Sequence, residues 1–397
     1  MSLPLPARNH PVKKNGDFPR QPLLNRSMKS SPRHIIALDS LRGLAALTVV
    51  FHHNLLAMPV AASAAIRSYL ATSPFSVVVE GRPAVLLFFM LSGFVLTLSM
   101  AGPALPVTPA TYPRYVVKRL CRIYIPFAIL GILFAALLYL ALSPLPPMPD
   151  MGGWFHASWT TLTPATYLGH LLMLGREQDG TLNNVVWSLW YELRISLIFP
   201  FLLLAMRRLH LLASLAAMVL LTLAADYLLA DSGLPSFYYD GHTILQSFGI
   251  TLHFIPFFMA GILLALHHQA IGAWFKRRNR WEVGFLWLIT LLNLSQISDS
   301  RLAPAIALLL ALSLHTPSVN GFLSLRPLQW LGRVSYSLYL VHLPVILAGY
   351  YLLYGLVPLP LLVALTFPVS FLLAHLGHSL IERPAIALGK TTFRKQA

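Results

Sequence analysis

Along this chain the apolar residues do not alternate with polar ones. They run in stretches of about twenty, broken by short clusters rich in Arg, Lys, Pro and Ser. A helix of that length crosses a hydrocarbon core roughly 30 Å thick, and in lipid a helix satisfies every backbone hydrogen bond internally. Ten spans are predicted, at residues 35–58, 84–100, 120–142, 187–206, 209–229, 244–266, 282–296, 302–316, 333–354 and 358–380. The seventh and eighth are short and parted only by Ser298, Asp299, Ser300 and Arg301. The expected fold is all-α, a polytopic membrane helix bundle. The longest connection, 143–186, is rich in Pro, Trp and Gly, and Tyr167–Leu174 within it reads as a short interfacial or re-entrant helix.

Composition supports the same picture. Of 397 residues, 56% are hydrophobic and 11% charged, against roughly 25% charged in soluble domains. That excludes a soluble globular domain. A net charge of +16 would suit a nucleic-acid binder, but the basic residues sit between apolar runs, so the expected partner is the lipid bilayer and not nucleic acid. With the N-terminus in the cytoplasm, 23 of the 29 Lys and Arg residues fall in cytoplasmic segments and helix ends. Arg67, Arg82, Arg176 and Arg301 are left on the other side, and Arg42 and Arg194 inside spans. This is the positive-inside bias. It predicts a multi-pass protein of the cell (inner) membrane with both termini cytoplasmic. Residues 1–34 form a basic tail without a signal-peptide core, 35–384 the membrane domain, and 385–397 a short C-terminal tail. The single cysteine, Cys121, allows no intramolecular disulfide, and no metal-ligand spacing is present.

Charges within spans are costly and are commonly paired or functional. In the first span Asp39 and Arg42 are three apart and share a face. Arg42 and His53 are eleven apart, nearly three whole turns, so they project from one face about 16 Å apart; His52 points away. Two readings fit: a structural pair with an interfacial histidine, or a face whose imidazole serves as general base. At the entrance to the third span Lys118, Arg119 and Arg122 form a cationic cluster, either an orientation anchor or a phosphate clamp. Glu192 is expected one or two turns into the fourth span, at about the depth of His53, where it would orient an imidazole or pair with an arginine. Nearby Trp187 and Trp190 suit an interfacial aromatic belt. In the ninth span Ser335, Tyr336, Tyr339 and His342 form one polar stripe, which interhelical hydrogen bonding explains without any catalytic part.

Taken in order, these segments resemble the acyltransferase-3 family of membrane acyltransferases. The resemblance is carried by Asp39-x-x-Arg42-Gly43-Leu44-Ala45-Ala46 with His53 eleven after the arginine, then Phe88-Phe89-Met90-Leu91-Ser92-Gly93-Phe94 and Lys118-Arg119-Leu120-Cys121-Arg122-Ile123-Tyr124-Ile125-Pro126. It continues through Trp187-Ser188-Leu189-x-x-Glu192, Phe257-Phe258-Met259-Ala260-Gly261, Leu331-Gly332-x-x-Ser335-Tyr336-Ser337-Leu338-Tyr339-Leu340-x-His342 and Ile381-Glu382-Arg383-Pro384. The resemblance implies transfer of an acyl group, usually acetyl, from acyl-CoA (acetyl-CoA) to a hydroxyl of a carbohydrate or glycoconjugate acceptor. His53, Arg42 and Glu192 are then the catalytic candidates, and Lys118, Arg119 and Arg122 the holders of the CoA phosphates. Asp39, Trp187, Ser188, Ser335, Tyr336, Tyr339 and His342 are their expected supports. Trp190 and Tyr191, larger than the residues the family often has there, are expected to reshape the acceptor side. A transporter or exporter of a glycan or other solute is the rival reading of the same polytopic pattern; the lack of internal repeats and the arginine–histidine face weigh against it.

Overall fold

The computed structural model describes residues 32–71, 80–100, 102, 105–160, 162–175, 181–230, 241–294 and 298–391. Arg176 and most of the two tails lie outside that set. The described residues form an all-α bundle without strands. Ten helices carry it: α1 (Pro32–Ala57), α2 (Gly81–Ser99), α3 (Tyr112–Leu142), α4 (Trp187–Arg208) and α5 (Leu211–Leu229), then α6 (Ile244–Phe275), α7 (Arg280–Leu294), α8 (Asp299–His315), α9 (Arg326–Leu353) and α10 (Leu359–Gly377). A short helix, α11 (Arg383–Thr391), follows.

A helix lies under each of the ten expected spans. Seven, namely α2 to α6, α9 and α10, are long and apolar enough to cross a membrane, and eight if α8 joins Pro317–Leu323 across an 86° bend. α7, at 15 residues, is shorter than a full span. The count thus departs from ten at α1 as well as at the weakly separated seventh and eighth stretches.

Local sequence sets several helix starts. Thr243 caps α6, its hydroxyl accepting from the Gln246 amide while the Gln246 side chain accepts from the Thr243 amide, a reciprocal capping box. α9 and α10 start with proline in their first turn, where its missing N–H costs nothing. Helix directions alternate, so the clusters at 114–122, 207–208, 276–280, 326–333 and 383–390 gather at one end of the bundle, the basic end. Arg67, Arg82 and Arg301 lie at the far end.

Two glycine crossings hold the centre together. A Cβ on Gly93 would come within 2.3 Å of the Phe258 carbonyl oxygen, and one on Gly261 within 2.1 Å of the Met90 carbonyl oxygen. The two Phe-Phe-Met segments of α2 and α6 therefore touch backbone to backbone, as small residues permit between membrane helices. In the same way a Cβ on Gly332 would lie 2.3 Å from the Asp39 carbonyl oxygen, and one on Gly43 2.6 Å from the Gly332 nitrogen. That locks α1 to α9 beside Arg42.

Two π-helical turns interrupt the regular helix. One, Phe127–Leu133, follows Pro126 inside α3; the other, His378–Glu382, follows α10. They pack together where Gly377 meets Leu130. Such turns often sit at functional sites, and the second of them, through His378 and Glu382, borders the cavity described next.

Candidate active site

A cavity of about 300 Å³ opens at the basic end between α1, α2, α3, α4 and α9. Its wall includes Asp39, Arg42, Arg119, Arg122, Ser188, Glu192, Ser335, Tyr336 and Tyr339. Nine of the thirteen side chains singled out from sequence thus converge on one space, from four helices. Arg42 donates to Asp39 at 3.1 Å, the expected pair across one turn. Arg119 lies over the Tyr115 ring, 5.5 Å from its centroid. Tyr336 donates to the Ile123 carbonyl at 2.6 Å, and Ser335 to that of Gly332 at 2.8 Å.

Three expectations change. Lys118 is exposed and does not line the cavity; its Cα instead faces Gly389 of α11. The cationic cluster therefore splits, because consecutive residues of a helix diverge by about 100°. Glu192 lies far from the level of His53. It accepts from Ser92 at 2.8 Å, and Ser92 is eleven residues down α2 from Gly81, which touches the His52 ring, so about 16 Å along the helix. This puts Glu192 at the level of Arg42. The cause is the segment before α4, which dips into the bundle before the helix begins: Asn183 is fully buried and donates to the carbonyls of Gly131 and Leu340. Trp190, expected in an interfacial belt, and Tyr191 are only 1% and 0% exposed and are core residues, with Tyr191 packed on Phe254.

His53 stands outside the cavity, one aromatic layer further into the bundle. Its Nδ1 is 2.8 Å from His342 Nε2, and His342 Nδ1 is 3.1 Å from the Leu338 carbonyl oxygen. A carbonyl only accepts, so His342 Nδ1 carries a hydrogen. In the neutral pair His342 Nε2 is then bare and accepts from His53 Nδ1–H, which leaves His53 Nε2 with its lone pair. His342, and not Glu192, is the group that fixes the orientation of His53. Trp154, from the long connection, stacks on His53 itself, with ring centroids 5.2 Å and planes 10° apart. His52 turns away, onto Gly81.

Tyr339 links the two levels. It lines the cavity, and its ring is 5.8 Å from that of His342. Its hydroxyl donates to the Val185 carbonyl and accepts from Ser188 at 2.7 Å, while Phe88 packs edge-on against its face. Trp187 does not reach the cavity; it lies under the Arg82 guanidinium, 5.5 Å from the ring centroid.

Sequence reasoning missed Ser92, Arg333, His378 and Glu382, all in the cavity wall. Glu382 accepts from Ser337 at 2.7 Å and from His378 Nδ1 at 3.0 Å. Both Ser92 and Glu382 fall in segments that carry the family resemblance, and that was the available signal. The charged wall thus sets Arg42, Arg119, Arg122 and Arg333 against Asp39, Glu192 and Glu382, an excess of guanidinium groups suited to an anionic ligand.

Comparison with curated proteins and with solved structures returned no match. The acyltransferase-domain profile of the acyltransferase-3 family, however, matches residues 35–375. That stretch takes in α1 to α9, nearly all of α10, and every helix that lines the cavity except the last turn and α11. On that match the chain belongs to the acyltransferase-3 family and is a membrane acyltransferase.

Proposed function

We propose that this protein moves an acyl group, acetyl being the first choice, from acyl-CoA to a hydroxyl of a carbohydrate or glycoconjugate, with His53 as general base. The observation that carries the reading is the two-level arrangement: an arginine-rich cavity at one end of the bundle, and above it an imidazole, His53, whose Nδ1 is engaged by His342. Arg119 and Arg122 would hold phosphates, since guanidinium forks match phosphate oxygens. Arg42, deeper on the same wall, guides the pantetheine arm toward Tyr339.

His53 Nε2 takes the proton of the acceptor hydroxyl as that oxygen attacks the thioester carbonyl. The tetrahedral intermediate then expels the CoA sulfur, which recovers the proton from His53. One C–O bond forms, one C–S bond breaks, and the base ends as it began. His342 holds His53 in the productive tautomer throughout. For the thioester to reach His53, the Tyr339–Ser188 contact must give way.

The basic end of the bundle faces the cytoplasm in this reading, which places both termini there beside the CoA pool. Incubating the purified protein with acetyl-CoA and a glycoside tests the reading. Thiol release that depends on the glycoside, with a mass gain of one acetyl group on it, is the expected result. Glycoside-independent release, or none with any glycoside, would sink it.

A further inference from the structure

A second, larger cavity of about 1240 Å³ lies between α5, α6 and α8 and shares no lining residue with the first. Its wall is graded. Toward the basic end it is apolar, with Leu215 and Val219 of α5, Leu264 of α6 and Ala307 of α8. At the far end stand Asp226, His253, Asp299 and Arg301. From Leu215 to Asp226, and again from Leu264 to His253, is eleven residues, so the space runs about 16 Å along the helices. α5, which forms one side of this space, is mostly exposed on its outer face.

The polar end is built with care. Arg82 Nε donates to Asp299 Oδ1 at 2.9 Å, and its Nη2 to Asp299 Oδ2. His253 Nε2 is 2.9 Å from Asp299 Oδ2, and its Nδ1 is 3.9 Å from Asp226 Oδ1. Arg82, Asp299 and His253 are each less than 9% exposed. Ionic groups buried at such depth are expensive, and their default reading is functional. The cluster also adjoins the reaction centre. Arg82 follows Gly81, where a Cβ would sit 2.6 Å from the His52 ring, and it covers Trp187, one residue before Ser188.

We infer that this cavity seats the acceptor, as a lipid-anchored sugar: its apolar chain lies along α5, α6 and α8, and its hydroxylated head rests at the Asp226–His253–Asp299 end, beside the His52–His53 level. An apolar void at membrane depth forfeits dispersion contacts on all its walls, so hydrocarbon fills it. Carboxylate, imidazole and the Ser298 and Ser300 hydroxyls at the mouth accept and donate hydrogen bonds as a sugar head requires. This inference rests on the acyltransfer reading for the word acceptor, but its test does not.

The test is photolabelling of the full-length protein in lipid nanodiscs, without acyl-CoA, using dodecyl glucoside with a diazirine at the chain end. Labelled peptides should concentrate at the apolar end, in 215–219, 260–264 and around 307. Unlabelled dodecyl glucoside should compete and methyl glucoside should not. A paired Ala260→Phe and Ala307→Phe variant should lower labelling about tenfold, what losing two buried methylenes is worth. Labelling spread evenly over lipid-facing α7 as well, or undiminished by the competitor, would mean ordinary annular lipid and overturn the inference. The wild-type pattern decides the matter even if the paired variant does not fold. Labelling as expected with no acyl transfer would refute only the reaction, and transfer without localised labelling only the site.

Discussion

Arg42 and Arg194 both lie inside predicted spans, and their surroundings differ sharply. Arg194 on α4 donates to the Ser247 carbonyl and hydroxyl at 3.2 and 2.8 Å, to Thr251 at 3.1 Å, and to the carbonyls of Met173 and Leu174 at 2.8 and 2.7 Å. It ties the long connection to α6. Arg42 on α1 has one described side-chain bond, to Asp39, and turns the rest of its fork into the cavity. A guanidinium has five N–H donors in a fixed plane. Where protein oxygens take nearly all of them, the arginine is a fastener; where most face a cavity, they await a ligand. The cost of burying either charge is similar, so the difference lies in what repays it.

The first way to sharpen this contrast lies one level above Arg42. His53→Ala should lower transfer roughly a hundred- to ten-thousandfold, the usual worth of a general base, while His52→Ala keeps most activity. The rate of acetyl transfer at saturating acetyl-CoA reads both. Equal losses would show that the Arg42 face does not lead to the reacting atoms.

Next come the two arginines themselves. Arg194→Met leaves several buried oxygens without their donor and should cost roughly 1–3 kcal/mol of stability, seen as a lower midpoint of thermal unfolding in detergent. Arg42→Met should leave that midpoint nearly unchanged and weaken acyl-CoA binding. If Arg42→Met melted as early as Arg194→Met, both would be fasteners.

A further pair of variants divides the cationic cluster. Arg119→Lys or Arg122→Lys should weaken CoA binding about ten- to a hundredfold, because lysine keeps the charge and loses the fork. Lys118→Ala should be nearly silent, since Lys118 points elsewhere. Titration with CoA and with its dephosphorylated pantetheine fragment supplies the control; equal affinities in the wild type would rule out a phosphate clamp.

The smallest effect concerns His342. His342→Gln keeps an acceptor for His53 Nδ1–H and a donor for the Leu338 carbonyl, so it should retain activity within about tenfold, whereas His342→Leu should lose more, roughly the 1–3 kcal/mol of an unmet polar group. Equal loss in both would reduce His342 to packing.

What the sequence made legible was set by distance along the chain. Asp39, Arg42 and His53 lie on one helix, and helical arithmetic places them correctly. Lys118 was misread because a cluster of like charges within one turn looks like a unit, although neighbouring residues diverge on the helix surface. Glu192 was placed too near His53 because the count began from an assumed membrane boundary, and α4 begins only after Asn183 has already entered the bundle. Glu382 escaped notice for a related reason: the π-turn that carries it breaks the period of 3.6 on which such counts rest. The ion pair between Arg82 and Asp299 joins residues 217 apart, and no local pattern announces such a partner.

The double attachment of α1 to α9 has a mechanical consequence. At the basic end Gly43 and Gly332 bring the two backbones into contact, and near the far end His53 and His342 share a hydrogen bond. A pair of rods pinned at both ends can neither splay nor slide. This side of the cavity is therefore the stiffer wall, and in the proposed reaction it would keep Arg42 and His53 at constant spacing. The proposed opening past Tyr339 would then fall to the opposite side, which holds the π-turn of α3 and the late start of α4.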